Sequence, residues 1–156
     1  MYDRILVPYD KSEHAKHALQ TAIDLVDDSD ESKIVVLYVT ELPEFEDPAF
    51  AAAAQMAMAE VSAGTNDEAR GMHKEYYEAQ RKAIADETAG IVGDYKNITF
   101  EFASGKPQDA IEKYASSGDY DIVIMGCRGL GALRGALGSV SFAVLRSVDI
   151  PVLVVK

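Results

Sequence analysis

The sequence predicts an α/β protein: one open parallel sheet with helices on both faces. Three observations predict it. Strand-like and helix-like runs alternate along the whole chain. The runs Ile5-Leu6-Val7-Pro8 and Lys33-Ile34-Val35-Val36-Leu37-Tyr38-Val39 are apolar almost throughout, as in strands buried on both faces. A later strand, Tyr120-Asp121-Ile122-Val123-Ile124-Met125, leads into a glycine-rich loop and then a helix.

Each element has its own local reason. Ile5 to Pro8 form the first strand, and Tyr9-Asp10-Lys11-Ser12 turns into a helix with Ala15, Ala18, Leu19, Ala22, Ile23 and Val26 at helical spacing. Asp10 and Glu13 have the separation of a modified capping box. Two roles are therefore open to Asp10: a helix cap, or a carboxylate at a pocket mouth that accepts from a ribose hydroxyl or an adenine amine. Asp27 to Ser32 is a polar link to the second strand. Asp47-Pro48 reads as an N-cap with proline in the first turn, predicting a short helix from Ala49 to Val61. Thr65-Asn66-Asp67-Glu68 is a fuller capping box, predicting a long helix from about Asp67 to Thr88 that closes at Gly90 or Gly93. Ile98 to Phe102 alternates apolar and polar residues, the pattern of an outer strand. Ser104-Gly105-Lys106-Pro107 turns into another helix, with Ala110, Ile111, Tyr114 and Ala115 inward. Pro151 to Val155 belong to the last strand.

Composition bounds the function. A chain of 156 residues fits a single domain, 1–156. No run approaches the roughly 18–20 apolar residues that span a bilayer, and the start has no signal-peptide layout, so a cytoplasmic protein is expected. Its one cysteine excludes an internal disulfide, and the net charge of −11 argues against nucleic-acid or anionic-membrane binding. Small anionic ligands are not excluded, because charges beyond about 8 Å are screened at physiological salt. His14, His17, His73 and Cys127 show no metal-ligand spacing.

The chemistry-bearing stretch is Met125 to Ser141. Gly126, Gly129, Gly131, Gly135 and Gly138 permit close backbone approach, and the following helix turns its positive end toward the loop. Phosphate binding is the sharper reading and a plain mobile connection the blander one. No P-loop is present, since Gly105-Lys106 is followed by Pro107, and the dinucleotide fingerprint fails where Arg134 replaces its third glycine. In open sheets ligands bind beyond the carboxyl ends of strands, where strand order reverses. Asp10 and Gly126 each follow such an end. If their strands are neighbours, both face one crevice.

Ile5-Leu6-Val7-Pro8-Tyr9-Asp10-Lys11-Ser12-Glu13, Asp121 to Gly129, Gly138-Ser139-Val140-Ser141 and Pro151 to Val155 resemble the opening, the nucleotide loop and the last strand of the universal stress protein family. The resemblance implies a five-stranded sheet of order 3-2-1-4-5, like that of the adenine nucleotide alpha hydrolases. It implies a homodimer through Pro151 to Val155. It also implies ATP binding, possibly with Mg²⁺ or Mn²⁺. Carried over, Asp10 contacts ribose or adenine, with Pro8, Tyr9 and Val39 near the base. The Gly126 and Gly129 backbones, with Gly138, Ser139, Val140 and Ser141, hold the phosphates; Arg128 and Arg134 add positive charge, and Met125 belongs to the same nucleotide site. Binders of the family place nine residues between the second loop glycine and the Gly-Ser pair; here eight intervene, Leu130 to Leu137. The function expected is a nucleotide-linked regulatory dimer read by a further regulatory protein. A nucleotide-free dimeric scaffold and a slow ATPase or phosphotransferase are the alternatives. No general base is aimed at a γ-phosphate, so efficient catalysis is not expected.

Overall fold

The computed structural model describes residues 2–27, 29–40, 67–130 and 137–156. The elements are β1 (Arg4–Tyr9), α1 (Glu13–Leu25), β2 (Lys33–Thr40), α2 (Asp67–Val92), β3 (Ile98–Ser104), α3 (Pro107–Ala115), β4 (Ile122–Gly126), α4 (Ser139–Ser147) and β5 (Val152–Val155). All strands pair in parallel, in the order β3-β2-β1-β4-β5. The expected helix at Ala49 to Val61, Thr65 and Asn66 of the capping box, Gly131, Arg134 and Gly135 lie outside the described residues, as does the side chain of His73.

Alternation along the strands builds two cores. On one face Ile5, Val7, Ile34, Val36 and Ile124 pack with Ala18 and Leu19 of α1 and Ile84 of α2. On the other, Leu6, Val35, Leu37, Val123 and Met125 pack with Ile111 and Ala115 of α3 and Val144 of α4. This double burial explains the unbroken apolar runs of the central strands. Edge strand β3 is half-buried along most of its length, consistent with its alternating sequence.

Several local expectations are corrected. The α1 cap is Ser12, whose hydroxyl oxygen accepts from the Ala15 amide; Asp10 lies outside the helix and accepts from the Ser12 amide at 3.0 Å. Glu13 turns instead to Lys16 at 2.8 Å. The reason is geometric: Lys11 adopts a left-handed φ of 67°, which puts Ser12 at the helix start. α2 runs through Gly90 to Val92 and stops at Gly93, where a φ of 55° suits glycine. In α4, Val144 and Ser141 are buried, whereas Phe142 and Leu145 remain 53% and 42% exposed.

The β1–β4 register is short, Ile5 with Ile122 and Leu6 with Val123. Val7 to Tyr9 continue along β2 instead. Pro8 has no amide hydrogen to donate, and it lies past the last β1–β4 pair. The sheet thus parts between β1 and β4, where the strand order reverses.

Candidate functional site

A cleft of about 860 Å³ opens at this parting. It is lined by Pro8, Tyr9 and Asp10 from β1 and its turn, Val39 from β2, and Met125, Gly126, Arg128 and Gly129 from β4 and its loop. Gly138, Ser139, Val140 and Ser141 complete the far wall. These are the twelve residues singled out in the sequence, brought together by the fold. Sequence reasoning did not select Leu37, Tyr38, Thr40, Pro107 and Ile111, which also line it. The signal for the first three was available, because they flank Val39 at the carboxyl end of β2. Pro107 and Ile111 enter because α3 crosses that end, a long-range fact.

Backbone hydrogen bonds sort the loop's amides. Cys127 donates to the Val155 carbonyl at 2.7 Å, and Gly138 donates back to the Cys127 carbonyl at 2.8 Å. Both amides are thus used internally. The first helical bond of α4 runs from Phe142 to Gly138, and Gly138 supplies no capping side chain. The amides of Ser139, Val140 and Ser141 therefore have no partner within the helix, at its positive end, and these residues line the cleft. Ser141 keeps its own hydroxyl busy, donating to the Gly126 carbonyl at 2.8 Å. Among the described residues, the start of α4 therefore offers the cleft donors that the helix does not use.

The glycines differ in purpose. A Cβ on Gly126 would come within 2.8 Å of the backbone carbon and Cβ of His14, so this residue lets α1 pack against β4. On Gly129 a Cβ would meet Asp10 Oδ2 at 2.5 Å, so this residue gives the Asp10 carboxylate its place. Asp10 Oδ1 is tied to the Ser12 amide, and the Ser12 hydroxyl donates to the Arg128 carbonyl at 3.4 Å. The β1–α1 turn and the loop after β4 are thereby stitched across the cleft.

Beneath the cleft, Tyr9 donates to Glu87 of α2 at 2.9 Å. Burial first, and then this bond and the Glu87 charge, hold its phenol protonated well above the ordinary tyrosine range. Cys127 is buried, as an inert thiol would be. Among the described residues no cluster of histidine, cysteine or carboxylate side chains is arranged to hold a metal ion, and no helix is long and apolar enough to cross a membrane.

An open parallel α/β sheet with a cleft at its switch point defines the class: a doubly wound α/β domain. The model of the universal stress protein family matches residues 1–156. The chain belongs to the universal stress protein family. Its sequence is 29% identical over 160 residues to universal stress protein Sll1388 of Synechocystis sp., covering 99% of this chain and 98% of that protein. Among solved structures it is similar to the hypothetical protein MJ0577, with a TM-score of 0.69 and 26% identity over 100% of this chain and 96% of that one. It also shares its fold with a universal stress protein in complex with cAMP, at a TM-score of 0.58 and 22% identity, covering 99% and 97%.

Proposed function

We propose that this universal stress protein binds ATP in the β1–β4 cleft, with Mg²⁺ or Mn²⁺ as its counter-ion, and works in the cytoplasm as a nucleotide-linked regulatory dimer read by another protein. The observation carrying this reading is that one cleft is lined by both donor-bearing and apolar residues. Ser139, Val140 and Ser141 line it with amides that no capping side chain uses, and the apolar Leu37, Val39, Ile111 and Met125 line it for a base. Asp10 stands at the mouth, suited to accept from ribose hydroxyls. Micromolar affinity needs about 8 kcal/mol; several charge-assisted bonds at roughly 1.5–3 kcal/mol each, with base burial, reach it. The metal rides on the phosphates in this reading. The eight-residue spacing does not remove the donors, because the amides the reading uses belong to α4 itself.

Thermal melting with ATP–Mg²⁺ tests this. At one hundred times Kd the ligand adds about 2.7 kcal/mol, which for a chain of this size raises the melting temperature by roughly 5–10 °C. An unchanged melting temperature at millimolar ATP sinks the nucleotide reading and leaves the scaffold. Phosphate release well above that of an Asp10→Ala control points to the slow hydrolase instead.

The dimer reading rests on β5. It is an edge strand of the sheet, and its residues Val152 to Val155 are apolar and half-buried. Such an edge is a template for pairing with a second copy, and the exposed Phe142 and Leu145 of α4 add apolar surface. Sedimentation equilibrium is expected to return twice the chain's 16.9 kDa. A monomer mass at micromolar concentration overturns it.

A further inference from the structure

We infer that His14 is the positioning residue of Arg128: a neutral His14 latches the guanidinium against α1, and a protonated His14 releases it to the cleft. The inference rests on the anion-binding reading above and adds a control to it. Arg128 is the only cationic side chain lining the cleft among the described residues, and His14 does not line it. The Arg128 guanidinium stands 3.3 Å from His14 Nε2. Arginine offers donors, has no acceptor and stays protonated. The contact is therefore a hydrogen bond only when Nε2 is the bare nitrogen of a neutral ring, with the hydrogen on Nδ1. A proton on Nε2 replaces the acceptor by a donor and sets one cation against another.

The backbones on both sides of this pair are held. The first turn of α1 is capped by Ser12, and Gly126 lies against His14 with no room for a Cβ. The Arg128 carbonyl accepts from the Ser12 hydroxyl. Among the described residues the guanidinium has His14 as its hydrogen-bond partner. Its pivot is well placed, since a Cβ on Gly138 would lie 3.3 Å from the Arg128 Cα, beside the start of α4. An arginine released from His14 thus swings from a point next to the uncapped amides, where an anion gains a charge-assisted bond.

Other titratable groups around α1's first turns have partners of their own. Glu13 pairs with Lys16, although its charge is also felt at His14 and His17. His17 Nδ1 meets the Lys156 carbonyl at 3.1 Å. Asp10 accepts from Ser12, Glu87 of α2 accepts from Tyr9, and Cys127 at the end of β4 is buried.

The test is ATP affinity by calorimetry between pH 8 and 5.5, the range in which imidazole changes charge, for wild type, His14→Ala, Arg128→Ala and the double variant. Protonation of the nucleotide affects every protein alike, so ratios between proteins isolate the latch. At pH 8, His14→Ala is expected to bind roughly tenfold more tightly than wild type, the size of one charge-assisted hydrogen bond. That ratio must fall toward one as the pH drops, because an imidazolium has no acceptor to offer arginine. His14→Gln, whose amide oxygen still accepts from arginine, keeps wild-type affinity at pH 8 and loses the pH step. In the Arg128→Ala background, His14→Ala changes nothing. A ratio that is flat with pH, or a His14→Ala effect that survives without Arg128, overturns the inference while leaving nucleotide binding intact. Wild type that binds no ATP at any pH overturns the nucleotide reading and the latch together.

Discussion

Gly126→Val is expected to lower the melting temperature by about 2–12 °C with no ligand present, the consequence of roughly 1–3 kcal/mol of overpacking. The new Cβ would stand 2.8 Å from two His14 atoms and 3.0 Å from the Ala15 amide nitrogen. These are mostly backbone atoms of a capped helix turn, so no flexible side-chain end can yield. Either α1 lifts from β4 or the end of β4 shifts, and the first disturbs the core around Ala18 and Leu19, both fully buried. Scanning calorimetry on the nucleotide-free protein checks it. Melting at the wild-type temperature would show that α1 can move aside and that Gly126 is free for another purpose. The point matters because any loss of ligand in this variant follows from packing, so it is a poor probe of the site.

Asp10→Ala is the sharper probe. Its expected effect is about a hundredfold loss of ATP affinity, the equivalent of two hydrogen bonds to a charged group at the lower end of their range. Stability changes less, by about 1 kcal/mol, because the fold loses only the bond from the Ser12 amide to Oδ1. Gly129→Ala approaches the same carboxylate from the other side. Its methyl group would overlap Oδ2, a side-chain end that can be displaced, so the fold survives and the carboxylate moves from its place. A loss of roughly tenfold is expected there, about one such bond. Calorimetric titration of both variants, with melting curves as the folding control, measures the difference. Wild-type affinity in Asp10→Ala would remove Asp10 from the site.

The family opening, the glycine loop and the last strand made the architecture readable before any coordinates. Double-sided burial writes itself into sequence as unbroken runs such as Ile34 to Leu37, and an outer strand as the alternation of Ile98 to Phe102. The convergence of Asp10 with the loop after Met125 was readable too, because in a parallel sheet every strand's carboxyl end lies on the same side. The capping of α1 stays open in the sequence for a definite reason. A box at Asp10 and a cap at Ser12 are both compatible with the sequence, and the left-handed Lys11 decides between them.

Local periodicity and turn chemistry, which act over a few residues, are sufficient to set the strands and most helix limits, whereas most of the cleft residues were implied by the family resemblance. The use of each loop amide required the folded chain, since Cys127 finds Val155 and Gly138 finds Cys127 only after β4, β5 and α4 have docked. The meeting of His14 with Arg128 spans 114 positions of sequence. No pattern within α1 or the loop encodes it; the crossing of α1 over the end of β4 creates it.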